Sequence, residues 1–321
     1  MKVTLIIADS KSTLYAPVVL DDITWKTERR GSPGVLSFKI LKDKESNRFS
    51  EGNHVRLEVD GKKVFYGFIF SIKRDKSESI SITAYDQLRY LKNKDTMFYA
   101  NKTAGEVVKL IAETFRLQVG KIEDTGYKIP KRAEDNVTLF DIIYNALDET
   151  LDNKKQMYVL FDKYGKITLK SLKNMEVNFV IDETNAEDFT YNSSIDKDTY
   201  NQIKIAFDND KTGKRETSVV RDGKHINEWG VLQYYDKAKK GENRKAKAEA
   251  LLSLYNRKAK GLSFKNVKGD FKVRAGSLIG VTIDLGDVNV KNMMLVEKCT
   301  HKISENEHFM DLSVRGADFI E

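Results

Sequence analysis

Cys299, His301 and His308 lie within ten residues of one another, and thiolate and imidazole are the donors that zinc takes. On an alternating strand Cys299 and His301 share a face, and the turn that follows is expected to carry His308 away from them. No CxxC or HExxH accompanies the three, so no metal site is expected. The other histidines, His54 and His225, stand apart. Asp208-Asn209-Asp210-Lys211-Thr212-Gly213 imitates the start of a calcium loop. Its twelfth position is Val219, where a bidentate glutamate is needed, so the segment reads as a polar hairpin tip. No glycine-rich phosphate loop follows a strand, and no GxSxG elbow occurs. With 48 acidic residues, glycosidase-type carboxylate pairs are easy to draw, and nothing singles one out. The expectation is a chain that is not an enzyme, with no catalytic, cofactor-binding or metal-binding residue.

The charge is less evenly spread than the chemistry. The formal net charge is +7, and residues 237–260 hold nine Lys or Arg against Glu242 and Glu249. Arg244, Lys245, Lys247, Arg257 and Lys258 are therefore candidates for docking an acidic partner, against the plainer reading of a solvated helix face. A basic chain with small β-domains also invites comparison with single-strand binders. The cations are not interleaved with aromatics on a strand face, so no specific nucleic-acid binding is expected. A single cysteine excludes an intrachain disulfide. The first apolar run, Val3 to Ala8, is broken by Asp9 and is too short for a signal-peptide core or a membrane span. Synthesis in a bacterial cytoplasm without a signal peptide is the expectation, with no membrane segment.

The elements that must position these residues fall into three blocks. Residues 1–97 read as β: Val55-Arg56-Leu57-Glu58-Val59 alternates strictly and meets Asp60-Gly61, a strong hairpin signal. Residues 98–180 change period. Thr103-Ala104-Gly105-Glu106 is a capping box opening one helix, and Thr138 with Asp141 opens a second. Asp162-Lys163-Tyr164-Gly165 then turns a hairpin. Residues 181–321 return to β, with a polar and helical excursion at 208–260. The fold class expected is α+β, mainly β.

The first and third blocks share a pattern. Leu36-Ser37-Phe38-Lys39 recurs as Leu262-Ser263-Phe264-Lys265. Gly52 follows the first tetrapeptide and Gly276 the second, and Asp60 and Asp284 each come eight residues after that glycine. Val55, Leu57 and Val59 alternate as Ile279, Val281 and Ile283 do, and glycine turns follow at Gly61 and Gly286. The expectation is two related antiparallel β-barrels, separated by an α+β insert. Three such chains would present six similar barrels in a ring of true threefold symmetry.

At Thr83-Ala84-Tyr85-Asp86-Gln87-Leu88-Arg89-Tyr90-Leu91-Lys92-Asn93, the Thr103–Glu106 helix start and the Gly52–Gly67 hairpin, the sequence resembles a known family. These are the baseplate hub proteins of contractile phage tails and phage-tail-like bacteriocins, and among them the hubs of PBSX-like tails. The late-control protein D family and the hub portion of valine-glycine repeat proteins are related to them. The resemblance implies tube domains in a homotrimer that adapts a hexameric tail tube to a trimeric spike and nucleates the tube. Its implied partners are the tail tube protein, the central spike protein and other baseplate proteins, with the tape-measure protein a further one. It places the mature chain in a phage or tailocin particle. The sequence ends at Glu321 without a β-helical spike or lysozyme-like domain, so those activities are expected on other chains. The alternative is a tail-associated peptidoglycan hydrolase or carbohydrate-binding protein.

Overall fold

The computed structural model describes residues 1–316 except 10, 21, 197–198, 210–211, 239–242, 285–288 and 305. Contacts divide the chain into two compact units, Met1–Thr190 with Leu262–Glu321, and Tyr191–Gly261.

The first unit begins with β1 (Val3–Ala8), β2 (Leu14–Tyr15), β3 (Ile23–Glu28), β4 (Val35–Leu41), β5 (His54–Val59), β6 (Lys62–Arg74) and β7 (Ser79–Tyr85). Their alternation puts Leu36, Phe38, Ile40, Val55, Leu57, Phe65, Ile80 and Ile82 into one core. Asp60 and Gly61 both have positive φ, 49° and 73°, as a two-residue type I′ hairpin between β5 and β6 requires.

The helical block follows with β8 (Lys94–Thr103), α1 (Ala104–Thr114), β9 (Val119–Ile122), β10 (Lys128–Thr138), α2 (Leu139–Lys154), β11 (Tyr158–Asp162), β12 (Ile167–Ser171) and β13 (Glu176–Ile181). Both expected capping boxes form: Glu106 N–H donates to Thr103 Oγ1 at 3.2 Å, and Thr103 N–H returns a bond to Glu106 at 2.8 Å. The apolar stripes of α1 and α2, with Val107, Ile111, Ile142, Ile143 and Leu147, close on Leu160 and Leu169. The β8–β10 ribbon is not legible in the sequence, because its apolar residues alternate poorly.

Next come β14 (Asp188–Ser194), then β15 (Gln202–Asn209), β16 (Lys214–Arg221), α3 (Gly223–Trp229), β17 (Gln233–Lys237) and α4 (Arg244–Tyr255) of the second unit. In that unit β16, β15 and β17 form a three-stranded sheet, and Ile203 and Ile205 pack on Ala248 of α4. The chain closes with β18 (Ala259–Lys268), β19 (Leu278–Asp284), β20 (Asn289–Ile303) and β21 (His308–Gly316).

The two β blocks repeat one strand order. The first runs β3-β4-β7-β6-β5-β1 and the second β14-β18-β21-β20-β19-β13. The repeated tetrapeptides keep register: Leu36 pairs with Ala84 and Phe38 with Ile82, while Leu262 pairs with Val314 and Phe264 with Leu312. Gly52 and Gly276 have φ of +87° and +91°. Gly52 N–H donates to Ile69 O and Ile69 N–H to Asn53 O, just as Gly276 N–H donates to Val296 O and Val296 N–H to Ser277 O. A bulge follows Ile69 in β6 and Val296 in β20. The repeat ends at the outer strands, since β1 is antiparallel to β5 but β13 is parallel to β19. In the chain order residues 195–258 link β14 to β18, where residues 29–34 link β3 to β4.

The sequence predicts two related antiparallel β-barrels; the described strands show antiparallel sheet and no closed barrel. Among the described residues the strands follow one continuous path, β14-β18-β21-β20-β3-β4-β7-β6-β5-β1-β2. The cause is length: β20 has 15 residues against 7 in β19, so its far half outruns β19 and takes β3 along that edge. The expected turn at Gly286 lies outside the described residues.

Candidate functional site

The junction between the repeated blocks is made by backbone pairing. Lys298–Ile303 of β20 runs antiparallel to Glu28–Ile23 of β3. Arg29 N–H extends the ladder to Glu297 O at 3.0 Å, and Arg29 Nε donates to the Glu297 carboxylate at 2.8 Å. Trp25 stacks on His301 at 4.8 Å between ring centres.

The Cys299, His301 and His308 group sits under this junction. The turn after Ile303 brings His308 opposite Ile303, on the same face as His301, instead of carrying it away. His301 Nδ1 and His308 Nε2 are 2.8 Å apart, and Cys299 Sγ is 3.2 Å from His301 Nε2. The Val273 carbonyl lies 3.0 Å from Nε2 and can only accept, so Nε2 carries the proton and Nδ1 accepts from His308. Cys299 and His308 thus address opposite nitrogens of one ring, an arrangement in which one tetrahedral ion cannot take all three. Burial pushes the Cys299 thiol up.

Burial, with His308 alongside, lowers His301 to about 3, and burial lowers His308 to about 4. Unfolded imidazoles titrate near 6.5. The unfolded chain therefore binds more protons between those values. The stability held by the pair is full above pH 6.5 and is lost as pH falls through about 4 to 3. His308→Gln keeps a donor for His301 Nδ1 and does not titrate. Its urea midpoint is expected to fall less between pH 7 and 4.5 than the wild type's. An unchanged difference would show that His308 does not gain a proton on unfolding.

A second buried group joins the first β block, the helical block and the second β block. Asp86 accepts from Gly34 N–H at 2.8 Å and from Leu88 N–H at 3.0 Å. Gln87 donates to Gly165 O at 2.7 Å and Gln118 O at 2.9 Å, and its carbonyl accepts from Gln118 N–H at 2.9 Å. Asp162 accepts from Gly165 N–H at 2.7 Å, and Arg274 donates to Asp162 O at 2.8 Å. The Arg274 guanidinium lies 4.3 Å from the centre of the Phe161 ring, and its Nε has no hydrogen-bond partner among the described residues. Burial, with each carboxylate near the other, raises Asp86 well above its ordinary value; burial raises Asp162 to about 6. The only sequence signal was the Thr83–Asn93 stretch, and Arg274 carried none.

The repeat leaves an unmatched pair of edges. By the Ile69–Val296 equivalence, Ser71–Arg74 of β6 correspond to Lys298–His301 of β20, the segment that takes β3. On its β5 side no strand pairs with Ser71–Arg74 among the described residues. The counterpart of β3 is β14, which among the described residues pairs with β18 alone. Ile23 and Trp25 alternate along β3 and are buried, whereas Phe189, which alternates with Tyr191 along β14, is 40% exposed.

The predicted basic stretch lies on and after α4, largely turned to its own unit. Arg244 pairs with Glu216 at 2.7 Å and lies 5.1 Å from the Phe207 ring, and Lys247 pairs with Asp236 at 3.0 Å. Lys245 approaches Glu249 at 3.9 Å, and Lys258 is exposed beyond the helix. Thr199 Oγ1 donates to the Arg257 carbonyl at 2.9 Å. Of the calcium-like segment, Asp208 is held by Arg215 at 2.6 Å and Lys237 at 3.4 Å, while Asp210 and Lys211 lie outside the described residues. His54 bonds Tyr66 at 2.6 Å and His225 bonds Asn256 at 2.7 Å, far from any shared cluster.

The model of the YQBQ-like family matches residues 23–315. The chain belongs to the YQBQ-like family. Two relatives in Bacillus subtilis (strain 168) are similar over 95% of this chain and 94% of their own length. One is the protein YqbQ, 27% identical, and the other the phage-like element PBSX protein XkdQ, 25% identical. The 43 kDa tail protein of prophage MuSo2 from Shewanella oneidensis has a similar structure, with TM-score 0.71 and 12% identity over 99% of this chain and 100% of that one. The E. coli c3393 protein, a type VI secretion component likened to bacteriophage T4 gp27 and gp5, follows at TM-score 0.57 and 9% identity, covering 99% and 77%. This YQBQ-like chain has the mainly β fold of phage tail proteins. Among its described residues no helix is long and apolar enough to cross a membrane.

Proposed function

We propose that the chain is a structural component of a phage tail, and more narrowly the baseplate hub of a contractile tail. Likeness to tail proteins supports the structural role. The observation that carries the hub reading is the repeated strand order with one junction made and its counterpart open. β20 has taken β3 within the chain, and among the described residues the β5 side of Ser71–Arg74 and the side of β14 away from β18, the equivalent edges, have no strand beside them. Exposed edges of this kind are templates for another chain. Pairing β6 of one copy with β14 of the next is a heterologous contact, which closes a ring where the rotation allows. Three copies would close it, each giving two related blocks to a quasi-sixfold ring. Such a ring would seat a hexameric tube on one side and a trimeric spike on the other, with other baseplate proteins around it.

In this reading residues 1–97 and 181–321 are the two tube blocks and 98–180 the insert between them. The second unit, inserted at one of two equivalent loops, would mark alternate positions and leave the ring threefold.

Paired cysteines test the closure. Lys73→Cys with Asn192→Cys in the full chain is expected to give, under oxidation, a band of three chains on a non-reducing gel, with nothing beyond it. Either cysteine alone should give none. Monomer only, or an open ladder of growing chains, would contradict the closed ring.

A further inference from the structure

The sheet of the second unit has two faces, and among the described residues only one is covered within the unit. Ile203 and Ile205, with Val220 and Tyr234, pack under α4 on Ala248, Leu251 and Leu252. The register places the rows Arg221-Gln202-Gln233, Val219-Lys204-Tyr235 and Thr217-Ala206-Lys237 on the opposite face. Val219 is 49% exposed and Tyr235 46% exposed. They stand two strand spacings apart, about 10 Å, which is the width of one helix laid on a sheet.

The charge of this face is mostly positive. Lys204, Arg215, Arg221 and Lys237 meet a single acid, Asp208, which Arg215 and Lys237 already hold. Lys204 and Arg221 form no ion pair among the described residues. On the α4 face, by contrast, the cations face Glu216, Asp236 and Glu249. Lys204 and Arg221 thus lie opposite the helix that the sequence singles out. Two apolar-bodied side chains flanking Lys204 on a cationic face have the make-up of a docking surface, with tyrosine as the anchor type.

We propose that this open face docks an acidic amphipathic helix of a partner protein. Its apolar stripe would cover Val219, Tyr235 and the methylene stem of Lys204 between them, and its carboxylates would reach the Lys204 ammonium and Arg221. The helix would mirror α4 and turn the two-layer unit into three layers. A nucleic-acid strand fits less well, because among the described residues Tyr235 is the single aromatic ring on the face, too few for a stacking series. The inference is independent of ring closure.

The probe is a fluorescent designed peptide of about 14 residues, leucine on one face and glutamate on the other. Its twin carries lysine in place of glutamate. With the full chain, fluorescence anisotropy should show the glutamate peptide binding, weaker as salt rises from about 50 to 300 mM. Lys204→Glu and Tyr235→Ser should each weaken it about tenfold or more. Both positions face away from the core of the unit, and unchanged far-UV circular dichroism verifies their folds. Lys245→Glu, on the α4 side, should leave binding unchanged. No binding of the glutamate peptide, equal binding of the lysine twin, or tighter binding of oligo-thymidine would each overturn the proposal.

Discussion

Replacing Arg274 with methionine is expected to destabilise the first unit by about 3–5 kcal/mol at pH 7 and by far less at pH 5. Asp86 and Asp162 are buried, and the positive charge of the half-buried Arg274 acts on both. Methionine keeps much of the volume over Phe161, so the change is mainly one of charge. Without the guanidinium, the two carboxyls can stay buried only with protons on them, and holding those protons costs more as pH rises. In the wild type the same linkage is milder. Asp162 is raised to about 6 from 3.8, so the folded chain binds more protons in that window, and stability falls as pH rises through about 6. Urea unfolding of both proteins at the two pH values checks this. Equal losses at both would mean that Arg274 acts by packing against Phe161 and not by its charge.

Gly276→Ala is expected to cost about 2–5 kcal/mol, and Gly52→Ala only about 1–2 kcal/mol. The two glycines occupy the same turn of the repeat with nearly the same φ, +91° and +87°, so the backbone strain of a side chain there is common to both. Their surroundings differ. A Cβ on Gly52 meets nothing within 4 Å, whereas a Cβ on Gly276 collides with the branched Val159 side chain of β11. Val159 is buried with Phe161, Leu172 and Met175 and has little room to yield. The two variants thus separate strain from overpacking, and thermal unfolding of each gives the difference. Equal losses would mean that the turns are not packed as described, and a restoring effect of Val159→Ala on Gly276→Ala would locate the clash.

These two residues also show what the sequence discloses. The repeat was legible because it is local: the tetrapeptide, the glycine that needs positive φ and the alternation after it recur within short windows. The capping boxes at Thr103 and Thr138 were legible for the same reason. The joint of Asp86, Asp162 and Arg274 was not, because its members lie in three separate blocks and each looks like an ordinary surface charge. Charge density pointed to residues 244–258 as a docking stretch, but it could not show that Glu216 and Asp236 come from neighbouring strands to meet them. His308 was misplaced because strand alternation says nothing about how tightly the turn after Ile303 folds back. The β3–β20 junction was hidden too, since pairing between residues 23 and 303 leaves no trace in either strand alone.

The direct test of the hub reading is a symmetry-resolved electron cryomicroscopy map of the tail tip that contains the chain. The account predicts three copies in a closed ring, with Ser71–Arg74 of each antiparallel to Asp188–Ser194 of its neighbour, repeating the pairing of β20 with β3. A map in which the β6 edge faces solvent, or in which the copies lie around the tip without that pairing, would contradict it.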